Sequence, residues 1–187
     1  ICSFNLAELC ATTIALMKDA KHDIATTMPA PDFVGGGQII YDEAQMREIY
    51  EKGRGSVRVR AKYNAVPGEN MLEITQIPPT TTVEAIMDKI SELVKAGKLK
   101  EISDMRDETD LNGLKLTLDL KRGVDADKLM AKLFKATPLE DSFSANFNIL
   151  VSGQPRVMGV REILQEWTAF RMECVRRRTY YDLHGKE

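Results

Sequence analysis

The sequence predicts an α+β fold, with an antiparallel-rich sheet backed by helices and a long C-terminal helix. Three observations lead to this prediction. Apolar residues recur at helical spacing in several segments, apolar and polar residues alternate in others, and the alternating segments are joined in pairs by short turns. With 187 residues, the chain can bury one sizeable core or two small ones.

The N-terminal segment is predicted to be helical. In "NLAELCATTIALMK" (5–18) the apolar residues share one face of a helix, and Asn5 is a residue type that caps helices. A second, short helix is predicted from His22 to Met28. The segment "PAPDFVGGG" then interrupts regular structure with two prolines and three glycines.

A strand, a helix and a pair of strands follow. "QIIY" predicts a short strand, and Asp42 can cap a helix from Glu43 to Glu51, which the glycines at 53 and 55 end. "SVRVRAKYN" alternates strictly, and "MLEITQI" fits as its antiparallel partner across the turn "VPGEN".

The second half repeats this alternation of helices and strands. "VEAIMDKISELVKAG" predicts a helix that Thr82 caps and Gly97 closes. "LKEISDMRDETD" and "LKLTLDLKRG" flank Asn112-Gly113 and predict a second two-stranded unit. "DADKLMAKLFKAT" predicts a helix and "SFSANFNILVSG" a strand, and from Pro155 onward, after "QPRVMG", the chain predicts one long helix with an apolar side.

Composition excludes several classes of protein. No apolar run approaches the roughly 20 residues of a membrane span, and residues 1–17 lack the features of a signal peptide. Three cysteines in no CxxC pattern argue against a disulfide framework and for buried, reduced thiols in a cytosolic protein. Only two histidines, predicted to be exposed, exclude a site built from several imidazoles. Because the chain does not start with Met and stops within a helical pattern, we expect it to be a piece of a longer protein.

One short segment is strongly basic although the net charge of the chain is −2. On a strand, alternate side chains face opposite ways, so the apolar face can pack on a helix while the cations form a row roughly 7 Å apart, at about 3.3 Å per residue. DNA phosphates repeat at a comparable spacing, and backbone N–H groups of the glycine-flanked turn could also approach a phosphate. The five cations, with no acid among them, are Lys52, Arg54, Arg58, Arg60 and Lys62.

The alternative interpretation of this basic segment is a solvated outer face, balanced by acids of neighbouring strands such as Glu73. No aromatic residue alternates with the cations to stack on bases. If the segment binds nucleic acid, it therefore binds the backbone rather than the sequence.

Other charged clusters favour structural interpretations. "SDMRDETD" places four carboxylates before a tight turn, where a divalent metal site is the alternative to a structural turn. A second basic cluster, Arg171 with 176–178, points in several directions around a helix, and its members are predicted to pair with Glu173, Asp182 or another chain. "GGG" at 35–37 lacks the spacing of a phosphate loop, and no catalytic set is present. The four carboxylates are Asp104, Asp107, Glu108 and Asp110.

Several ordered segments resemble a known family, the A subunit of bacterial type IIA topoisomerases, which comprises DNA gyrase and topoisomerase IV. The resemblance runs in the same order from about residue 5 to 184. The segments that carry it are "PDFVGGGQI", "YEKGRGSVRVRAK", "EITQIP", "ISDMRDETDLNGLKLTLDLKRG", "LFKATPLEDSFSANFNILVSGQPRVMGVREILQEW" and "FRMECVRRRTYYDL".

The resemblance implies an ATP-dependent enzyme that cuts one DNA duplex, passes another through and reseals the first. The full A subunit would form a homodimer and pair with an ATPase B-type subunit, which holds the Mg²⁺ and ATP. This chain itself would hold no cofactor and contact no membrane, and the location implied is the bacterial cytoplasm, in association with the nucleoid.

The resemblance also implies which part of the full-length protein this chain is. Residues 1–30 would be an N-terminal helical segment, 31–154 the α+β tower domain that supports the arms of the cut duplex, and 155–187 the start of the coiled-coil arm. The cleaving tyrosine of the family sits in an Arg-Tyr-Thr context upstream. Here Arg178-Thr179-Tyr180 has a different order, so no catalytic residue is assigned and the chain alone is expected to be inactive.

The resemblance favours the DNA-holding interpretation of Lys52, Arg54, Arg58, Arg60 and Lys62. Neutralising four phosphates would give a slope of about −3.6 in log K against log salt. Two alternatives stay open. One is a structural spacer between cleavage core and exit gate without DNA contact, and the other is a free-standing regulatory domain that binds a small ligand at the glycine loop.

Overall fold

The computed structural model describes residues 1–186 and shows an α+β fold, which confirms the predicted class. The helices are α1 (Leu6–Lys18), α2 (Ile24–Thr27), α3 (Glu43–Lys52), α4 (Val83–Lys95), α5 (Ala126–Ala136) and α6 (Val160–His184). The strands are β1 (Gln38–Ile40), β2 (Arg54–Arg60), β3 (Lys62–Val66), β4 (Met71–Gln76), β5 (Ile102–Asp107), β6 (Leu116–Leu120), β7 (Glu140–Asn146), β8 (Asn148–Val151) and β9 (Gln154–Val157). Strand pairs β1–β2, β3–β4, β4–β6, β5–β6 and β8–β9 are antiparallel.

The chain divides into two compact units. The first holds Ile1–Asp32, Asp42–Ser56 and the residues from Ser144 onward, and the second holds Phe33–Tyr41 and Val57–Phe143. Helices α1, α2, α3 and α6 and the β8–β9 hairpin belong to the first unit. The four-stranded sheet, in the order β3-β4-β6-β5, and helices α4 and α5 belong to the second, while β2 and β7 contribute residues to both.

The core of the second unit is one cluster shared by the four-stranded sheet and its two helices. Helix α4 presents an apolar face at helical spacing, and its first turn is capped because the Thr82 hydroxyl accepts a hydrogen bond from the N–H of Ala85 at 3.2 Å. Each large apolar side chain buried here contributes about 1.5–3 kcal/mol of transfer free energy. The fully buried members of the cluster include Leu72, Ile74, Ile86, Leu116, Leu118, Met130 and Leu133.

In the first unit, two glycines allow close approach of backbone segments. Gly53 ends α3 with φ +80°, and a Cβ at this position would lie 2.2 Å from the carbonyl oxygen of Met158. Gly159, the N-cap of α6, would place a Cβ 2.4 Å from the backbone of Glu51. Arg161 joins α6 to α3 by an ion pair with Glu51, 2.8 Å from Nη2 to Oε1.

The segment 140–159 differs from its prediction. The single strand predicted there is two strands, β7 and β8, interrupted at the buried Phe147, whose N–H donates to the carbonyl of Gly53 at 2.8 Å. Pro155 lies in β9 rather than in a helix. Ser152 and Gly153 both have positive φ and form the tight turn between β8 and β9, a Ser-Gly turn signal that the sequence contains. Helix α6 therefore begins at Val160.

The C-terminal helix α6 carries the predicted apolar side, but much of it is exposed. Leu164 is buried, whereas Trp167, Phe170 and Met172 are exposed. Within the first unit, α1 and α6 line an apolar groove of about 520 Å³ that includes Leu6 and Trp167. No helix within residues 1–186 is both long enough and apolar enough to cross a membrane.

The cysteines are unpaired, and the prediction that they are buried holds for only one of them. Cys2 is buried, and burial raises the pKa of its thiol to about 11. Cys10 is exposed and Cys174 is half-buried.

Candidate nucleic-acid interface

The predicted alternation of the basic segment is confirmed residue by residue. Val57, Val59 and Ala61 are buried, while the cations at 58, 60 and 62 are exposed. Val57 and Val59 supply the apolar face that fixes the strand. The cationic side chains are therefore displayed to solvent, as the period of two requires.

The predicted pairing is wrong for the first half of this segment. Strand β2 ends at Arg60 and pairs with β1, so that Arg58 lies opposite Ile40 and Arg60 opposite Gln38. Only the part from Lys62 onward, strand β3, pairs with β4 as predicted, across the expected turn at 67–70. The change of partner occurs at Ala61, whose N–H donates to the carbonyl of Leu139 at 2.7 Å. The row of cations is thus divided between two sheets.

A single carboxylate neutralises part of the row. Glu140, at the start of β7, accepts hydrogen bonds from Arg58 at 2.7 and 2.9 Å and from Arg60 at 2.5 Å. Burial raises the pKa of Glu140, but hydrogen bonds and charge from Arg60 and Arg58 outweigh it and hold the pKa below its ordinary value. The balancing acid is therefore Glu140, whereas the predicted Glu73 pairs with Lys115 at 3.2 Å.

The remaining three cations differ in their partners. Lys52 forms an ion pair with Glu48 one helical turn away, at 3.0 Å. Among residues 1–186, the side chains of Arg54 and Lys62 have no ion-pair partner. The N–H of Gly53, predicted to be open to a phosphate, instead donates to carbonyls of α3 and caps that helix.

The structure adds a groove that the sequence did not predict. In the second unit, Arg58 and Glu140 line a shallow groove of about 570 Å³ together with Lys89, Phe134 and Lys135. The guanidinium of Arg60 lies 5.0 Å from the centroid of the Phe134 ring, a cation–π distance. Lys89 and Lys135 belong to helices α4 and α5, and no local sequence pattern connects them with β2.

The acidic segment forms a network of ion pairs and turn hydrogen bonds. Arg106 pairs with Asp119, Glu108 at 3.0 Å and Asp104 at 3.5 Å, while Asp107 and Asp110 accept N–H groups of their own turns. Within residues 1–186 no group of His, Cys, Asp or Glu side chains is arranged to hold a metal ion.

The second basic cluster and the two histidines contact residues close to them in sequence. Arg176 pairs with Glu173 at 3.7 Å, as predicted, and no ion pair with Asp182 occurs among the described residues. His22 is half-buried, with Nε2 2.9 Å from the Thr27 hydroxyl, and the exposed His184 lies against Tyr180. Tyr180 is exposed and lies near the C-terminal end of α6.

Comparison with known proteins supports the resemblance seen in the sequence. The sequence model of the family formed by the A subunits of DNA gyrase and topoisomerase IV matches residues 1–187. The chain belongs to this family. It is 33% identical to the DNA gyrase A subunit of Synechocystis over 98% of the chain and 22% of that relative.

Two further gyrase relatives agree with this assignment. The chain is 37% identical to the chloroplastic/mitochondrial DNA gyrase A subunit of Arabidopsis thaliana and 36% identical to the DNA gyrase A subunit of Neisseria gonorrhoeae. Each match covers 96% of this chain and 20% of the relative. The chain thus spans about a fifth of the length of the curated gyrase proteins that it matches.

Proposed function

We propose that the chain is the tower region of the DNA breakage-reunion subunit of an ATP-dependent type II topoisomerase, and that its basic segment holds flanking duplex DNA through phosphate contacts. Family membership supports the enzyme context. The observation that carries the DNA contact is the exposed guanidinium of Arg60, whose terminal nitrogens have no hydrogen-bond acceptor among residues 1–186. Such a fork matches the geometry of a phosphate.

The net charge of the basic segment supports weak binding to the DNA backbone. Arg54 and Lys62 each contribute an unpaired cation among the described residues, and the trio of Arg58, Arg60 and Glu140 contributes a net charge of +1. Three neutralised phosphates give a slope of about −2.7 in log K against log salt, shallower than the −3.6 expected for four. Affinity for an arbitrary duplex should be on the order of 10⁻⁴–10⁻⁶ M at physiological salt.

The competing candidate is a structural spacer that does not touch DNA. One observation favours it: three of the five cations already have an acid partner, namely Lys52 with Glu48, and Arg58 and Arg60 with Glu140. In that case the ion pairs serve to hold β2 beside β7. The two candidates differ in whether removal of the cations changes DNA affinity.

Fluorescence anisotropy of the full chain with a labelled 30-base-pair duplex, over a salt series, separates these candidates. We expect weak, salt-dependent binding that Arg58→Glu/Arg60→Glu abolishes. The matched control is Lys98→Glu/Lys100→Glu, because these exposed lysines also flank one buried residue and the change in charge is the same. Equal binding by wild type and the Arg58/Arg60 variant would establish the spacer, and equal loss in both variants would reduce the effect to net charge.

The proposal also covers how this chain connects to the rest of the full-length A subunit and to its partner subunit. The exposed apolar residues Trp167, Phe170 and Met172 on α6 support a role for this helix as the start of a coiled coil. A homodimer of the full A subunit would then pair with an ATPase B-type subunit that holds Mg²⁺ and ATP. Because the catalytic tyrosine is assigned to the segment upstream, this chain alone should not cleave DNA.

A further inference from the structure

Glu140 occupies an unusual position between two guanidinium groups. Its Oε1 accepts from Nε and Nη2 of Arg58 at 2.9 and 2.7 Å, and its Oε2 accepts from Nε of Arg60 at 2.5 Å. The Glu140 side chain is only 10% exposed, whereas those of Arg58 and Arg60 are 53% and 45% exposed. One nearly buried carboxylate therefore serves two cations that face solvent.

The two arginines are not equivalent. All three nitrogens of Arg58 are engaged, because its Nη1 also donates to the Ser142 hydroxyl at 3.2 Å. Arg60 uses only Nε, and among residues 1–186 its two Nη groups have no hydrogen-bond acceptor. The Phe134 ring, 5.0 Å from its Cζ, further restrains the guanidinium. Arg60 is held by one edge, and its other edge can bind an external acceptor.

We propose that Glu140 sets the strength with which this face holds a DNA phosphate, by orienting Arg60 and by opposing the phosphate with its own charge. The inference rests on the function proposed above. The carboxylate repels a phosphodiester bound at the Nη groups of Arg60, since both anions would lie on opposite edges of one guanidinium. Glu140 is thus a positioning residue that acts through Arg60 and lowers the affinity for duplex DNA.

The variant Glu140→Gln tests the role of the charge, because the amide keeps the size of the side chain and one oxygen acceptor. We expect duplex affinity to increase about 3- to 10-fold at low salt, with a slope in log K against log salt that is steeper by about 0.9. The difference between variant and wild type should shrink as salt rises. The probe is the same 30-base-pair duplex, and the protein is the full chain.

Asp141→Asn is the matched control. It removes one negative charge from the adjacent residue of β7, but Asp141 contacts the Thr80 hydroxyl at 2.7 Å and the Ser142 N–H at 2.8 Å rather than either arginine. If Asp141→Asn tightens binding as much as Glu140→Gln, the effect is one of net charge and the proposal is overturned. Thermal unfolding of each variant verifies that the protein being compared is folded.

A double-mutant cycle shows whether Glu140 acts through Arg60. In the Arg60→Gln background, Glu140→Gln should tighten binding less than in wild type, because only the charge of Arg58 is then released, while in the Arg58→Gln background the gain should persist. A gain as large in the Arg60→Gln background as in wild type would overturn the assigned route. The same cycle distinguishes two failures. If Arg60→Gln weakens binding but Glu140→Gln does not tighten it, only the role of Glu140 is lost, whereas if neither variant changes affinity, the DNA-holding function itself is wrong.

Discussion

Arg60 and Arg106 are two arginines of the second unit with nearly equal exposure and different surroundings. Their side chains are 45% and 43% exposed, and both lie on antiparallel strands, β2 and β5. Every nitrogen of the Arg106 guanidinium has an acceptor: Nε donates to Glu108 at 3.0 Å, and both Nη groups donate to Asp119. Arg60 donates only from Nε, to Glu140.

The difference shows that the number of acid partners, rather than exposure, determines whether a surface arginine keeps N–H donors for a ligand. Hydrogen bonding to Asp119, and then to Glu108, raises the pKa of Arg106 above its ordinary value. The two bonds to Asp119 link β5 to β6. Arg60 shares one carboxylate with Arg58 and keeps donors for a ligand. Arg106 is therefore a structural cation, and Arg60 is the candidate for DNA contact.

The largest expected effect concerns the core of the second unit. Leu118 on β6 is fully buried in the cluster that also contains Ala61, the residue after β2. Leu118→Ala should lower the free energy of unfolding by about 2–5 kcal/mol because it leaves a cavity. Urea unfolding measures this loss, with Leu111→Ala as control, because Leu111 is fully exposed and its truncation should change stability by less than about 0.5 kcal/mol.

A loss of similar size in both leucine variants would show that the cluster does not carry the stability of the second unit. At a temperature where Leu118→Ala is still folded, its salt slope for DNA binding should equal that of wild type. A changed slope would mean that the positions of the cations depend on the packing beneath them.

Much of the fold could be predicted because local rules and tertiary structure agree. Helix α4 follows from its apolar spacing and the Thr82 cap, and α3 from Asp42 and Gly53, since caps and amphipathic faces are encoded within one segment. The partners of β2 could not be predicted, because alternation fixes which side chains face inward but not which strand lies alongside. That choice depends on β1 and on β7, which is distant in sequence.

The same limit applies to the candidate site. The cations of the basic segment are visible as a charge pattern, but Glu140 lies 82 residues from Arg58 and 80 from Arg60. The segment "PLED" contains no signal that its Glu faces β2. Only the placement of β7 beside β2 brings the carboxylate to the arginines, and with it the distinction between a free and a partly neutralised basic face.

The second prediction sharpens the comparison by removing one charge from each arginine in turn. Arg106→Gln should lower the urea midpoint, because Asp104 and Asp119 would lose their cation and Glu108 would keep only Lys115, at 3.8 Å, and it should leave DNA affinity nearly unchanged. Arg60→Gln should do the reverse, weakening DNA binding several-fold with a smaller change in the midpoint. Unfolding curves and anisotropy on the same preparations test both.

The outcome that contradicts this assignment is a common response of the two variants. If Arg106→Gln weakens DNA binding as much as Arg60→Gln, the acids around Arg106 do not prevent it from binding a phosphate. The claim that acid partners determine which arginine contacts DNA would then be wrong. If Arg60→Gln destabilises the protein as much as Arg106→Gln, Arg60 is the structural cation and the spacer candidate gains support.

The smallest expected effect is the pH dependence of stability. Arg106 holds the pKa of Glu108 below its ordinary value of 4.5, and the pKa of Glu140 is also lowered as the charges of Arg60 and Arg58 outweigh its burial. Because the folded-state pKa is the lower one, the stabilisation is fully present above about pH 4.5 and is lost as pH falls through the folded values. The urea midpoint of wild type should therefore decline between about pH 5 and 3.

Each arginine should account for its own share of this decline. Arg106→Gln should flatten the curve by removing the main cation that lowers the pKa of Glu108, to which Lys115 contributes less. Glu140→Gln should remove only the contribution of the carboxylate shared by Arg58 and Arg60. Both changes should be modest and should diminish in high salt, because the groups are partly exposed and solvent screens them. If the urea midpoint of Arg106→Gln declines with pH as much as that of wild type, Arg106 does not lower the pKa of the acids around it. The difference between Arg106 and Arg60 would then be only the number of hydrogen bonds that each donates.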